Sequence, residues 1–191
     1  MYSLIIDSAT KILYIALVCD KKVIYEEYMK GEHDHAKNIV FLVDEALKKA
    51  SIEVDDLSKI VVGIGPGSYT GVRMGVTVAK MMASFKNIPL YKISTLKLIA
   101  SGSKGITLSM IDARHETSFA AIIDVNKNSY VLDEALYENK VLLESNYEYV
   151  VNEGEFKVDP FYVISNSTLV EEADLLVPNY LRDTEAERNL G

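Results

Sequence analysis

One cysteine, no tryptophan, four prolines and three histidines occur among the 191 residues. A single thiol, Cys19, can form neither an internal disulfide nor a cysteine metal cluster, which fits a reducing cytoplasm. His33 and His35 make an H-x-H pair, but positions i and i+2 diverge on a helix. No third ligand stands at a suggestive spacing, so the pair reads as the start of a helix rather than a metal site. His115 sits in DARHE, at an expected hairpin tip. No apolar run is long enough to cross a bilayer, so no membrane association is expected. The N-terminal stretch has no basic region or small-residue cleavage site and is broken by Asp7 and Lys11, so no signal peptide is expected either. No G-x-S-x-G element, Cys–His pairing or distinctive carboxylate pair is present.

What is present is a globular composition: 49% hydrophobic and 25% charged residues, enough for one medium domain or two small ones sharing a core. The net charge of −8 is unevenly placed. Residues 131–191 hold 14 acidic and 4 basic side chains, while residues 1–130 hold 14 and 16. An RNA reader needs a basic patch to neutralise phosphates, so this last third would repel RNA and a partner would have to hold it.

Three apolar, β-forming runs open the chain: residues 2–7, 11–19 and 22–29. The short loops between them predict an antiparallel meander. A helical period follows from about Asp34, the expected N-cap, to Ala50, with Ala36, Ile39, Val40, Val43, Ala46, Leu47 and Ala50 on one face. Residues 59–64 read as a buried strand. The glycine-rich GIGPGSYTG follows, then a helix from about Gly71 to Lys86, the short strand YKIS, and a short helix over 95–101. This β-β-β-α-β-α-β-α order ends near Gly102. A second unit then begins with strands over 106–113 and 117–124, and with further β-rich pieces over 130–150 and 161–165. The pattern predicts mixed sheets flanked by helices, divided into residues 1–102 and 103–191.

Five of the ten glycines lie between Gly63 and Gly75. A strand, a glycine turn and a helix N-terminus can together bind an anion through free amides, and Arg73 could add a fork for a phosphate or carboxylate. Gly65, Gly67, Ser68 and Thr70 are the loop candidates, with Asp7, Ser8 and Thr10 of the first turn as further candidates. The same residues equally describe a tight turn capped by Ser68 or Thr70. Neither the Walker A spacing nor the dinucleotide fingerprint is met. Asp7 could hold a metal–nucleotide or simply cap a turn.

The second helix carries small residues every fourth position: Gly71, Gly75, Ala79 and Ala83. A glycine inside a helix costs up to ~1 kcal/mol relative to alanine, so Gly75 calls for a packing reason. Met74, Val78, Met82 and other bulky residues cover its remaining sides. In the first helix Ile39 to Val43 are five consecutive apolar residues, and Phe41 points away from the Val43 stripe. A helix apolar on two sides is either deep core or a docking surface, and a chain this short builds little interior.

IIDSAT, GIGPGSYTGVRMG, IPLYKISTL, MIDAR and PNYLR occur in that order and together resemble the bacterial TsaB (YeaZ) family. GPGSYTGVR is the most specific piece. DHAKNIVFLVDEAL also resembles that family's first helix, with His35 at its histidine position. The resemblance implies an α/β, actin-like (ASKHA, ribonuclease H-like) fold of two related lobes, the second trimmed after Lys104.

It also implies a noncatalytic scaffold and activator in making N6-threonylcarbamoyladenosine in tRNAs that read ANN codons. In that role the chain pairs with a catalytic, metal-bearing paralogue, TsaD, and with the ATPase TsaE, and it meets tRNA only indirectly. The implied interface comprises His35, Ile39, Phe41, Leu42, Val43, Gly71, Met74, Gly75, Val78, Ala79 and Met82, and it also supports a homodimer. Ser8-Ala9 stand where active relatives place glycine, and residues 106–190 hold a single glycine, Gly154. ATP or ADP is therefore expected at most at a subunit junction, with no cofactor held tightly by this chain. The alternative is a nucleotide-dependent phosphotransferase or ATPase, argued from fold class alone.

Overall fold

A computed structural model describes residues 1–30 and 35–181, the side chains of residues 35 and 36 apart. The N-terminal apolar runs form β1 (Tyr2–Asp7), β2 (Ile12–Cys19) and β3 (Lys22–Lys30). They pair antiparallel in sequence order, with Leu4 opposite Leu17 and Tyr14 opposite Tyr28. Next come α1 (His35–Ala50), a 3-10 turn (Val54–Asp56), β4 (Leu57–Gly63), α2 (Tyr69–Lys86), β5 (Leu90–Ile93) and α3 (Thr95–Ala100). β4 lies parallel to β1, and β5 parallel to β4.

The second unit contains β6 (Ile106–Asp112), β7 (Thr117–Asp124), β8 (Ser129–Glu138), α4 (Asn139–Leu143), β9 (Tyr149–Asn152) and α5 (Pro160–Ser165). β10 (Thr168–Leu169) then returns to the first sheet beside β5. The first sheet runs β10-β5-β4-β1-β2-β3 and the second β8-β7-β6-β9. The second lobe repeats the first: an antiparallel meander, a helix, then a strand parallel to the first of the meander. Two copies of this β-β-β-α-β unit are the actin-like architecture. The repeat is abbreviated, because α4 has 5 residues where α1 has 16, and nothing follows β9 as β5 follows β4.

Strand alternation sorts the core into layers. Leu4, Ile6, Leu13, Ile15, Ile60 and Val62 face α1 and α2. Ile5, Tyr14, Ala16 and Val61 face α3 and meet Ile111, Ala121 and Ile123 of the second sheet, so one continuous apolar layer joins the lobes. Each fully buried large aliphatic side chain contributes about 1.5–3 kcal/mol of transfer free energy.

Several local expectations are corrected. Residues 161–165 are helical, not β: the Asp159 side chain accepts from the Phe161 and Tyr162 amides and Pro160 opens the first turn, an N-cap-plus-proline signal. Part of 130–150 is likewise the helix α4. On α1 the buried face is Ile39, Leu42, Val43, Ala46 and Leu47, while Val40 is exposed. α2 starts at Tyr69, two residues before the expected start, because Ser68 rather than Thr70 is its cap. The Asp34 cap and His33 lie outside the described residues, as does the His35 side chain.

Candidate functional site

The candidate phosphate loop is tied to the β1–β2 turn by the chain's own groups. Asp7 ends β1 fully buried; its carboxylate accepts from Thr95 Oγ1 at 2.6 Å and from the Ala9 amide at 3.1 Å. Thr95 Oγ1 in turn accepts from the Gly65 amide at 3.1 Å. Gly63 must lack a side chain, since a Cβ there would strike the Asp7 carboxylate. Burial pushes the Asp7 carboxyl up to about 6, with the Thr95 and Ala9 donors opposing the shift.

One residue on, Ser8 Oγ donates to the Gly71 carbonyl at 2.7 Å, and the Ala9 carbonyl accepts from the Ser68 amide at 2.7 Å. A Cβ at Gly67 would collide with that Ala9 carbonyl, so the glycine admits the chain's own backbone. The Gly71 amide is bound by Ser68 Oγ at 3.3 Å. Thr10 closes its own turn, with its hydroxyl bonded to both the amide and the carbonyl of Ile12.

Part of this loop is filled by the chain's own groups. The Gly65, Ser68 and Gly71 amides already have acceptors, and a carbonyl oxygen faces the loop where an anion would need donors. Arg73 adds no fork there. It lies on the exposed side of α2, donating to Tyr69 OH at 2.7 Å with its guanidinium 5.1 Å from the Tyr69 ring centre. Thr70 is exposed on the same side.

A second cleft of about 280 Å³ opens between the lobes, lined by Lys11, Met110, Asp112, Ser118, Asn139, Asn152, Glu153 and Gly154. Lys11 of the first lobe pairs with Glu153 of the second at 2.8 Å. Among the described residues no group of three or more histidine, cysteine, aspartate or glutamate side chains could hold a metal ion.

The interface candidates separate cleanly. Gly71 packs on the Ser8 carbonyl and Gly75 on the Ser8 hydroxyl, and Ala79 and Ala83 are buried in the core. The small-residue stripe is thus where α2 approaches its own β1–β2 turn and sheet, not a partner. Ile39, Leu42 and Val43 are buried in the same core. This corrects the expectation that Ile39, Leu42, Val43, Gly71, Gly75 and Ala79 form a docking face; the physical reason is that both helices turn their densest apolar stripe to one sheet. What remains outward is Phe41, 54% exposed, with half-buried Met74, Val78 and Met82.

Three outward residues fall outside the expected set: Val40, Met81 and Phe85, the last 79% exposed. Bulk in the wrong place for an amphipathic helix was their signal. A groove of about 360 Å³ runs along this side, lined by Tyr69, Thr70, Arg73, Met74, Thr77 and Val78. Tyr180 stacks on Tyr69 at 5.2 Å. Its strap, residues 168–181, is held by Lys80 Nζ donating to the Asp174 and Leu176 carbonyls and by the Asn179 amide donating to Ile64.

Fold and site together define an actin-like protein of two lobes whose glycine loop is partly filled by its own groups and whose first two helices expose Val40, Phe41, Met81 and Phe85. The family described as TsaD, tRNA N6-adenosine threonylcarbamoyltransferase, matches residues 29–164. The tRNA threonylcarbamoyladenosine biosynthesis protein TsaB of Bacillus subtilis is 34% identical over 146 residues, 75% of this chain and 63% of that protein. TsaB of Escherichia coli is 34% identical over 119 residues, 60% of this chain and 51% of that protein. Among solved structures, YeaZ from Pseudomonas aeruginosa superposes with a TM-score of 0.78 at 18% identity, covering 94% of this chain and 99% of that one. The chain therefore belongs to the TsaB/YeaZ family within this wider group, and it spans between half and two thirds of the length of these two curated relatives. Among the described residues no helix is long and apolar enough to cross a membrane.

Proposed function

We propose that this chain is a noncatalytic scaffold and activator in the formation of N6-threonylcarbamoyladenosine in tRNA. It acts by docking a TsaD-type paralogue that carries the chemistry, with a TsaE-type ATPase joining them. The observation that carries the reading is that the Gly65, Ser68 and Gly71 amides are taken by Thr95 Oγ1, the Ala9 carbonyl and Ser68 Oγ, which supports a loop that does not handle phosphate. The outward Val40, Phe41, Met81 and Phe85 support the docking role, and a homodimer can use the same surface when the paralogue is absent. The acidic last third supports tRNA contact only through the partner.

The test is reconstitution with tRNA, radiolabelled threonine, bicarbonate and ATP. The chain alone should make no product and hydrolyse no ATP. Adding the paralogue, the ATPase and the threonine-activating enzyme should give product, and omitting this chain from that mixture should abolish it. Product from the chain alone would overturn the scaffold reading, and ATP hydrolysis by the chain alone would return the nucleotide-dependent phosphotransferase or ATPase reading.

A further inference from the structure

Arg73 stands apart from the glycine loop and is held in one pose by aromatic neighbours. Tyr69 opens α2 and Arg73 comes one turn later, so the two share a face of the helix. Arg73 Nη1 donates to Tyr69 OH at 2.7 Å, and the guanidinium lies 5.1 Å from the centre of the Tyr69 ring. Tyr180, from the far end of the chain, backs that ring at 5.2 Å between centroids. Burial pushes the Tyr180 phenol up and the Arg73 charge opposes the rise, so the cation acts on both rings.

Tyr180 is itself fixed by the strap. Lys80 Nζ donates to the Asp174 and Leu176 carbonyls, Ser84 Oγ donates to the Asp174 carboxylate at 2.6 Å, and the Asn179 amide donates to the Ile64 carbonyl. Leu176 is buried in the core beneath α1 and α2. A chain of contacts thus runs from the strap through Tyr180 and Tyr69 to Arg73. Among the described residues the guanidinium meets no carboxylate. One Nη1 hydrogen goes to Tyr69, which leaves the edge formed by Nε and Nη2 for a planar anion.

Among the described residues Arg73 is also the only charged one lining the groove of about 360 Å³, beside Met74 and Val78. An apolar groove with a single, preset cation fits an apolar side chain that has a carboxylate next to it. A two-fold contact centred on the groove would set Arg73 against its own counterpart, like charge on like, which disfavours a second copy of this chain as the occupant.

We propose that Arg73 is a specificity residue of the docking surface: it takes a carboxylate that the paralogue presents beside the apolar side chain seated in the groove, and the strap positions it through Tyr180 and Tyr69. The inference rests on the docking reading above and adds the chemistry of the partner's contact. A guanidinium already held in place gives up little rotamer freedom on pairing. A competitor without the carboxylate would cover the arginine unpaired, so the same arrangement rejects wrong partners.

The test titrates the full chain with the paralogue by calorimetry and follows the chain alone by sedimentation. Arg73→Leu should melt like wild type, because the side chain is exposed, and should weaken the complex about tenfold or more. Arg73→Lys keeps the charge without the fork and should recover only part of the loss. Raising the salt from about 0.05 to about 0.5 M should weaken the wild-type complex more than that of Arg73→Leu. Tyr180→Ala should weaken the complex about threefold or more, yet have no further effect in the Arg73→Leu background, a dependence that lost packing alone would not give. No binding of the paralogue by the wild-type chain would overturn the docking reading and this inference with it. Wild-type affinity in Arg73→Leu, or equal salt slopes, would overturn the inference and leave the docking reading standing. An Arg73→Leu effect confined to self-association would assign the groove to a second copy and overturn the inference as well. Additive effects of the two substitutions would overturn the positioning role of the strap. The Arg73 outcomes need no Tyr180 variant, so a misfolded Tyr180→Ala would not rescue the proposal.

Discussion

Asp7 offers the sharpest test of the loop, because its charge has no cation in the geometry described. The carboxylate sits in the core with two hydrogen-bond donors, and its pKa rises from 3.8 to about 6 because burial outweighs them. The native state therefore holds the proton more tightly than the unfolded chain does. Stability from this group is full below pH 3.8, falls as pH rises toward 6, and stays low above. At about 1.4 kcal/mol per unit, the buried charge costs roughly 3 kcal/mol at neutral pH. Asp7→Asn keeps the shape: its oxygen still accepts from the Ala9 amide, and its nitrogen can donate to Thr95 Oγ1, which still accepts from Gly65. The variant should gain on the order of 1–3 kcal/mol at pH 7.5, or roughly 2–4 °C of melting temperature per kcal/mol for a chain of this size. Near pH 4 the advantage should vanish. The assay is a series of urea titrations across pH 4–8 on both proteins. A loss of stability for Asp7→Asn at pH 7.5, or a difference that does not change with pH, would mean that a cation or another strong donor holds the carboxylate, and the account of a sealed loop would fail.

Thr107→Val should raise stability by about 1 kcal/mol, because the Thr107 hydroxyl is fully buried with no hydrogen-bond partner among the described residues; a chemical melt checks it. Phe41→Glu should melt like wild type yet weaken the paralogue complex at least about tenfold in a titration, since an exposed ring is lost and a charge is placed in an apolar contact. Ala79→Leu should behave oppositely: Ala79 lies in the core, so overpacking should cost about 1–3 kcal/mol in a thermal melt before any partner is added. Gel shifts at physiological salt should show at best micromolar binding of tRNA by the chain alone, because the acidic last third neutralises no phosphate.

The order of elements in the first lobe was legible along the chain because each has its own local signal, whereas the short helices α4 and α5 of the second lobe read as β. Apolar, β-forming runs joined by short loops marked β1 to β3, a helical period marked α1, and Pro-Gly-Ser punctuation marked the start of α2. The composition of the glycine loop was equally plain, and so was the family resemblance. Three things escaped a linear reading. A stripe of Gly71, Gly75, Ala79 and Ala83 invites close approach by any backbone, and nothing along the helix says whose; only the path of Ser8 over α2 decided that it is the chain's own. Likewise the sequence set three amides at the loop, but whether they stay free for an anion depends on where the Ala9 carbonyl and Ser68 Oγ come to rest. The strap from Thr168 to Leu181 reaches Ile64 and Tyr69 from more than a hundred residues away, a closeness that no local period encodes. Secondary structure follows local chemistry, which the sequence by itself determined. The filling of the site and the face each helix presents follow contacts between distant segments, which only the tertiary structure decided.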